Sequence, residues 1–423
     1  MNLESQIQRA NLAARKLAML SAEEKNKALK RISELVLAER DLILAENAKD
    51  MEEGEKNNLG SKLDRLLLTE DRLRGISDDT LNVASLPDSV GQVIDETERP
   101  NGLKISRVRV PIGVIGIIYE ARPNVTVDAA VLCLKSGNAV ILKGGSDAIN
   151  SNRILAKLIR QALEETGLDP EAVQFIDSTD RETTVELLKT KEGIDCIIPR
   201  GGKGLIDFVK ETSSIPVIET GASVVHVYVD KAVDIQKAVD ITVNAKTRRV
   251  SICNTLDVLL VHKDIASEFL PQLADALTKR AEEEGQELVE IHADEQIQNL
   301  LNPYSLILNA ADKDFDTEFL DYKMSIKTVG SLDEALDHIA EHSLKHSESI
   351  VTEDKEAAEK FLKSVDAACV YHNASTQFSD GAQFGLGAEI GISTQKLHVR
   401  GPFALEGLTT FKWVIRGDGQ VRD

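Results

Sequence analysis

The sequence predicts an α/β protein organised on parallel, doubly wound sheets. Two observations carry that prediction. From Pro111 onward, short runs rich in valine and isoleucine alternate with amphipathic stretches of helical length. That is the pattern of strands buried on both faces and joined by helical crossovers. Two of these runs end in glycine-rich segments, Gly144-Gly145-Ser146 and Arg200-Gly201-Gly202-Lys203-Gly204. Ligands of such sheets sit beyond the carboxyl ends of the strands, where glycine lets a backbone approach phosphate closely.

Residues 1–80 read as helices, since Leu17, Ala28, Leu29, Ile32, Leu35 and Val36 recur at near-helical spacing. Ser21 and Glu24 form a capping-box pattern ahead of the second helix. Two alternating runs then flank Arg99-Pro100-Asn101-Gly102, which predicts a β-hairpin. The second run, 103–110, alternates apolar and cationic residues, so one of its faces is wet or meets acidic groups.

The parallel region follows, with strands expected at 113–118, 138–143, 173–176 and 196–199 and helices at 128–134 and 151–165. The dinucleotide fingerprint Gly-x-Gly-x-x-Gly is missing, as is a Walker lysine motif. A nucleotide would therefore bind in a non-standard way, and a plain turn role explains either glycine loop taken alone. A second α/β region has strands expected at 224–229, 258–261, 305–308, 324–329, 349–351 and 368–371, and a last strand is expected at 410–415.

The totals bound the function. The chain has 423 residues, with 42% hydrophobic and 28% charged side chains, a net charge of -20 and a pI near 5.0. Such acidity argues against nucleic acid or an anionic membrane surface as partner, because both recruit basic surfaces. No apolar run reaches the roughly 20 residues of a membrane-spanning helix. The N-terminus has no signal-peptide pattern, so a cytoplasmic location is expected. The cysteines at 133, 196, 253 and 369 are too far apart for a zinc pattern or a dense disulfide framework.

Three of these cysteines lie in or beside apolar runs and read as small buried hydrophobes. Cys253 differs. It follows Lys246, Arg248 and Arg249 and precedes Asn254 and Thr255. Nearby cations stabilise a thiolate, the reactive form of cysteine, so Cys253 is the candidate nucleophile. His338, His342 and His346 recur every four residues. They lack a second ligand set, and Ser343-Leu344-Lys345 reads as a helix end, so no metal site is assigned.

Several stretches carry a family resemblance. They are Pro111 through Thr126, Lys135-Ser136-Gly137-Asn138-Ala139, Asn244-Ala245-Lys246-Thr247, Cys253-Asn254-Thr255, Asn373-Ala374-Ser375-Thr376, Phe384 through Glu389 and Ser393 through His398. In these the chain resembles the aldehyde dehydrogenase superfamily over nearly its whole length, and within it the branch that reduces γ-glutamyl phosphate in proline biosynthesis. The resemblance implies an aldehyde dehydrogenase-like fold of two doubly wound α/β domains plus an oligomerisation element made by the hairpin and the tail. The expected boundaries are 1–229 for an NADPH-binding domain interrupted by the 91–110 hairpin, 230–395 for a catalytic domain, and 396–423 for the tail strand.

The implied activity is the reduction of L-glutamate 5-phosphate to L-glutamate 5-semialdehyde through a thioester on Cys253, with NADPH as hydride donor. The oxyanion would be held by the Cys253 N–H and the Asn124 side chain. Lys143, Gly145 and Ser146, the loop Arg200-Gly201-Gly202-Lys203, and Glu318 match cofactor-contacting positions. Ser146 stands where NAD-preferring relatives often carry a glutamate, which favours NADPH. Glu318 is the looser match, because Leu320 replaces an expected phenylalanine. Charge and proximity make Arg248, Arg249 and Arg122 candidates for the acyl phosphate. The water-activating glutamate motif of hydrolytic relatives is absent, and Glu219 lies out of frame with it. The resemblance also implies a homo-oligomer, dimer or tetramer, and the pathway makes a separate glutamate 5-kinase a plausible partner. The rival readings are an NAD-dependent aldehyde oxidiser, against which Ser146 and the missing glutamate count, and a non-catalytic protein of the same fold.

Overall fold

A computed structural model describes all residues except 1, 61–62, 121, 302–303, 305 and 423. The chain folds as two compact units. The first comprises 1–220, 385–391 and 403–423, and the second 221–384 and 392–402.

The first unit is built on a four-stranded parallel sheet in the order Val173–Phe175, Ala139–Gly144, Val114–Tyr119, Cys196–Arg200. Its central strands are buried on both faces, as their unbroken apolar runs require. Leu3, Ile7 and Ala10 of the first helix pack on one side with Val114, Ile141 and Ile197. The capping box at Ser21 forms as the sequence predicts: the Glu24 N–H donates to Ser21 Oγ at 3.3 Å, and the Ser21 N–H to Glu24 Oε2 at 2.8 Å.

The predicted hairpin pairs Val93–Glu98 with Lys104–Pro111. Gly102 closes its turn at φ +85°, a conformation that favours glycine. The tail strand Thr409–Arg416 adds antiparallel to Lys104–Pro111, making a three-stranded sheet. The cationic face of 104–111 does meet acidic groups, with Arg107 on Asp95 and Arg109 on Glu406. Phe411, Trp413 and Ile415 stand exposed at alternate positions of the tail strand. The Arg107 guanidinium lies 5.1 Å and 5.7 Å from the two ring centroids.

The second unit carries a seven-stranded parallel sheet. Its order is Ile307–Asn309, Glu290–Ala293, Lys323–Val329, Leu256–His262, Val225–Val229, Ser347–Val351, Cys369–His372. Val225–Val229 is hydrogen-bonded between Leu256–His262 and Ser347–Val351. This strand therefore belongs to the second unit, and the chain leaves the first at Thr220, short of the expected 229. Glu290–Ala293 was not anticipated, because a four-residue strand with one large apolar side chain has too little pattern to read. The strand expected from Ser305 begins at Ile307, and Ser305 itself is outside the described residues.

Candidate active site

Cys253 sits in the turn between the helix Ile235–Thr247 and the fully buried strand Leu256–His262. It is partly exposed, whereas Cys133, Cys196 and Cys369 are buried. Burial pushes the Cys196 thiol up to about 12 and the Cys133 thiol higher still, so these two are poor nucleophiles.

The cysteine turn is fastened from within and from a distant segment. Thr255 Oγ1 donates to the Arg249 carbonyl at 2.7 Å. Asn254 is buried, and its side-chain amide donates to the Ser379 carbonyl at 3.0 Å. In return Thr376 Oγ1 donates to the Asn254 carbonyl at 2.7 Å, and Gln377 Nε2 to the Ala245 carbonyl at 3.1 Å. The short 3₁₀ helix Thr376–Phe378 is thus a strut across the turn. Sequence reasoning picked out the stretch 373–376 only as a family marker, and it missed Gln377. A nucleophile on a turn braced this way is held in one geometry, which is what attack on a positioned carbonyl needs.

The three cations near Cys253 divide. Arg248 and Arg249 are exposed. Arg248 Nη1 donates to Gln377 Oε1 at 3.3 Å, and the Arg249 side chain has no hydrogen-bond or ion-pair partner among the described residues. Lys246 is different: it is 0% exposed, and its Nζ donates to the Leu256 carbonyl at 2.9 Å. Burial lowers its pKa, while Asp257 and Asp321 favour its charge. The expectation that all three cations act on the thiolate is therefore corrected for Lys246, whose ammonium is buried on the Leu256 carbonyl with its charge favoured by Asp257 and Asp321. Asp257 is itself raised by burial, opposed by Lys246 and by the N–H groups of Phe319 and Val225. Glu318, from the same unit, is held by Ser223 Oγ at 2.9 Å.

The remaining candidates belong to the first unit. Asn124 opens the helix Asn124–Lys135, and its amide donates to Asp128 Oδ2 at 2.9 Å. Desolvation pushes Asp128 up to about 7, with Asp79 adding to the rise and Asn124 and Arg200 opposing it. Arg122 is half-buried just ahead of that helix. Lys143 ends its strand almost fully buried, and its Nζ donates to the carbonyls of Ser178 at 2.7 Å and Gly144 at 3.2 Å. Desolvation lowers its pKa.

Gly145 and the exposed Ser146 follow, then the helix Ile149–Glu165. The amides at the start of that helix are already engaged. Buried Asp50 accepts from the N–H groups of Asn150 at 3.1 Å and Ser151 at 2.8 Å, and from Ser151 Oγ at 2.6 Å. The idea that both glycine-rich strand ends offer free helix amides to phosphate therefore fails for the first of them.

The second end is more open. Arg200 and the exposed Lys203 flank Gly201 and Gly202, and the helix Lys203–Thr212 begins there. A Cβ on Gly201 would lie 2.6 Å from Glu120 Oε2, so a larger residue there would have to displace that carboxylate. The same carboxylate oxygen accepts from the Gly202 N–H at 2.9 Å. Glu219 pairs with Lys210 at 2.6 Å.

The histidine spacing does not hold on one helical face. His338 and His342 lie in Leu332–His342 with ring centroids 4.3 Å apart, but the helix stops at Ser343, and His346 is buried separately. Burial holds His338 and His346 neutral, at about 3 and about 4. No group of three or more His, Cys, Asp or Glu side chains suited to a metal occurs among the described residues.

Two doubly wound α/β units of this kind are the fold of an oxidoreductase of the aldehyde dehydrogenase class. The sequence profile described as "Aldehyde dehydrogenase family" matches residues 1–298, and the chain belongs to that family. It is 52% identical over 424 residues to a protein of Bacteroides thetaiotaomicron named γ-glutamyl phosphate reductase, covering 100% of this chain and 99% of the relative. A Clostridium tetani protein of the same name is 51% identical over 418 residues, covering 98% and 97%. The crystal structure of γ-glutamyl phosphate reductase from Thermotoga maritima superposes with a TM-score of 0.95 at 44% identity, covering 100% of both chains. An acetylating aldehyde dehydrogenase from Geobacillus thermoglucosidasius shares the fold, with a TM-score of 0.69 at 17% identity over 99% of this chain and 97% of that one.

Proposed function

We propose that this chain reduces L-glutamate 5-phosphate to L-glutamate 5-semialdehyde with release of phosphate, the second step of proline synthesis from glutamate. The observation that carries the reading is the 52% identity, over the whole chain, to a relative named for that reaction. The braced, partly exposed Cys253 supports it.

In this reading the Cys253 thiolate attacks the γ-carbonyl carbon, the carbon–oxygen bond to phosphate breaks, and a thioester remains on the sulfur. The Asn124 amide and the Cys253 N–H would receive the oxyanion. Asp128 orients that amide by accepting its other N–H. Arg248 and Arg249, with Arg122, would take the phosphate dianion, and the exposure of the first two suits a group that must leave. Glu219, paired with Lys210, is assigned no role, and a thioester meant for reduction needs no water-activating base.

The residues present fit a nicotinamide dinucleotide. Gly201 and Gly202 lie in a loop flanked by Arg200 and Lys203, where phosphate would displace Glu120 from the Gly202 N–H. Lys143 is a buried ammonium at a strand end, where a ribose hydroxyl can meet it. Glu318 would hold the second ribose. When bound, NADPH supplies the hydride that converts the thioester to semialdehyde. Ser146 leaves room for a 2′-phosphate, although the neighbouring exposed Asp147 accepts from its hydroxyl at 3.3 Å. Ser146→Glu is expected to lower the ratio of NADPH to NADH efficiency at least about tenfold, because a carboxylate there holds a 2′-hydroxyl and repels a 2′-phosphate. An unchanged ratio in steady-state assays would place the selectivity elsewhere.

A second copy of the chain is the proposed partner of the three-stranded sheet, whose tail strand ends the sheet with an exposed apolar row. A separate glutamate 5-kinase would supply the labile acyl phosphate. The cytosol is the proposed location; no helix of the described residues is long and apolar enough to cross a membrane.

The test is reverse turnover with semialdehyde, phosphate and NADP⁺. Reduction of NADP⁺ should require phosphate, and Arg249→Ala should raise the Michaelis constant for phosphate about tenfold, as loss of one charge-assisted contact does. Turnover that ignores phosphate overturns the reading.

A further inference from the structure

We propose that the buried pair Lys246 and Asp257 is a positioning device that holds the Cys253 turn and the Glu318 segment in one register. The inference rests on the roles just proposed for those two residues.

Lys246 closes the helix before the turn, and its ammonium donates to the carbonyl of Leu256, the first residue of the strand after it. The nucleophile is thereby enclosed between two points tied by one side chain. Asp257 is the next residue and is 1% exposed. One carboxylate oxygen accepts the Val225 N–H at 3.1 Å, and the other accepts the Phe319 N–H at 3.0 Å. Phe319 directly follows Glu318, and Val225 lies two residues after Ser223, whose hydroxyl holds Glu318 at 2.9 Å. The carboxylate therefore ties both segments that fix Glu318, and the charge of Lys246 opposes the rise that burial gives its pKa.

Stability alone does not call for this arrangement. Opposite charges buried near one another are commonly matched or bettered by neutral side chains of similar volume. What a carboxylate supplies, and an amide cannot, is two equivalent acceptors for N–H groups arriving from two different segments. Asparagine would present its own NH₂ to one of them.

The experiment compares the wild type with the neutral pair Lys246→Met/Asp257→Asn. Asp257→Asn alone provides a second background, in which Lys246 keeps its bond to Leu256. The neutral pair is expected to fold with a melting temperature within a few degrees of wild type, and Asp257→Asn alone, which leaves Lys246 buried without its nearest anion, to fold with a lower one. NADPH affinity, read by nucleotide fluorescence without substrate, should fall about tenfold. The rate of Cys253 alkylation by iodoacetamide should change several-fold in the neutral pair. Ser223→Ala combined with Asp257→Asn should be non-additive in NADPH affinity. Folded variants with wild-type NADPH affinity and wild-type alkylation overturn the proposal while leaving the functional reading intact. A wild-type protein that binds no NADPH overturns both.

Discussion

Cys253→Ala is expected to lower reductase turnover by a factor on the order of 10⁴ or more, the scale on which loss of a covalent nucleophile is felt. The fold should survive, because the side chain is small, partly exposed and placed in a turn. The strut made by Asn254, Thr376 and Gln377 uses backbone carbonyls and neighbouring side chains. Those bonds persist when the sulfur is removed. A melting temperature near wild type together with lost turnover is therefore the signature sought. Cys253→Ser should be comparably inactive, since a hydroxyl at neutral pH lacks the thiolate's reactivity. Mass spectrometry after brief iodoacetamide treatment should find Cys253 alkylated well ahead of Cys133 and Cys196, which burial keeps protonated. Turnover retained in the alanine variant would remove Cys253 from the chemistry.

Asp50→Ala is expected to cost about 3–5 kcal/mol of stability without touching a reacting group. Asp50 is buried, and its carboxylate receives Asn150 N–H, Asn150 Nδ2, Ser151 N–H and Ser151 Oγ. Alanine would leave those donors facing a cavity, and it would remove an anion from the positive end of a 17-residue helix. Asp50→Asn should fall between, since one amide oxygen replaces two acceptors. The measurement is a urea midpoint at constant slope. A loss below about 1 kcal/mol would mean that water can substitute for the carboxylate, and the capping argument would then fail.

What the sequence disclosed and what it hid follow one physical division. Patterns that depend on a residue's own neighbours were readable. The valine- and isoleucine-rich runs became fully buried strands, Gly102 closed its turn, and Ser21 and Glu24 capped their helix. Pairings across long stretches of chain were not readable. Nothing near Asp50 announces Ser151, and nothing near Glu120 announces Gly202. The misjudged cation was a nearer miss. Ala238, Thr242, Ala245 and Lys246 recur at helical spacing and are all buried, so the period already placed Lys246 on the inner face. Its charge drew it toward the thiol in a linear reading, but its position on the helix sends it inward. Asp257 stood in the same stretch, and only the seven-stranded sheet revealed that it serves two other segments.

The strut beneath Cys253 has a consequence for the order of assembly. The Asn254 carbonyl is closed by a hydroxyl 122 positions later in the chain. During synthesis from the N-terminus, the thiol emerges long before the residues that frame it. A nascent chain that has not reached Thr376 carries a cysteine without its brace, so catalytic competence arrives late, with the segment that also supplies Gln377 and Ser379. The rate at which Cys253 reacts with a thiol reagent should therefore change between released chains truncated before residue 376 and those that extend beyond 379.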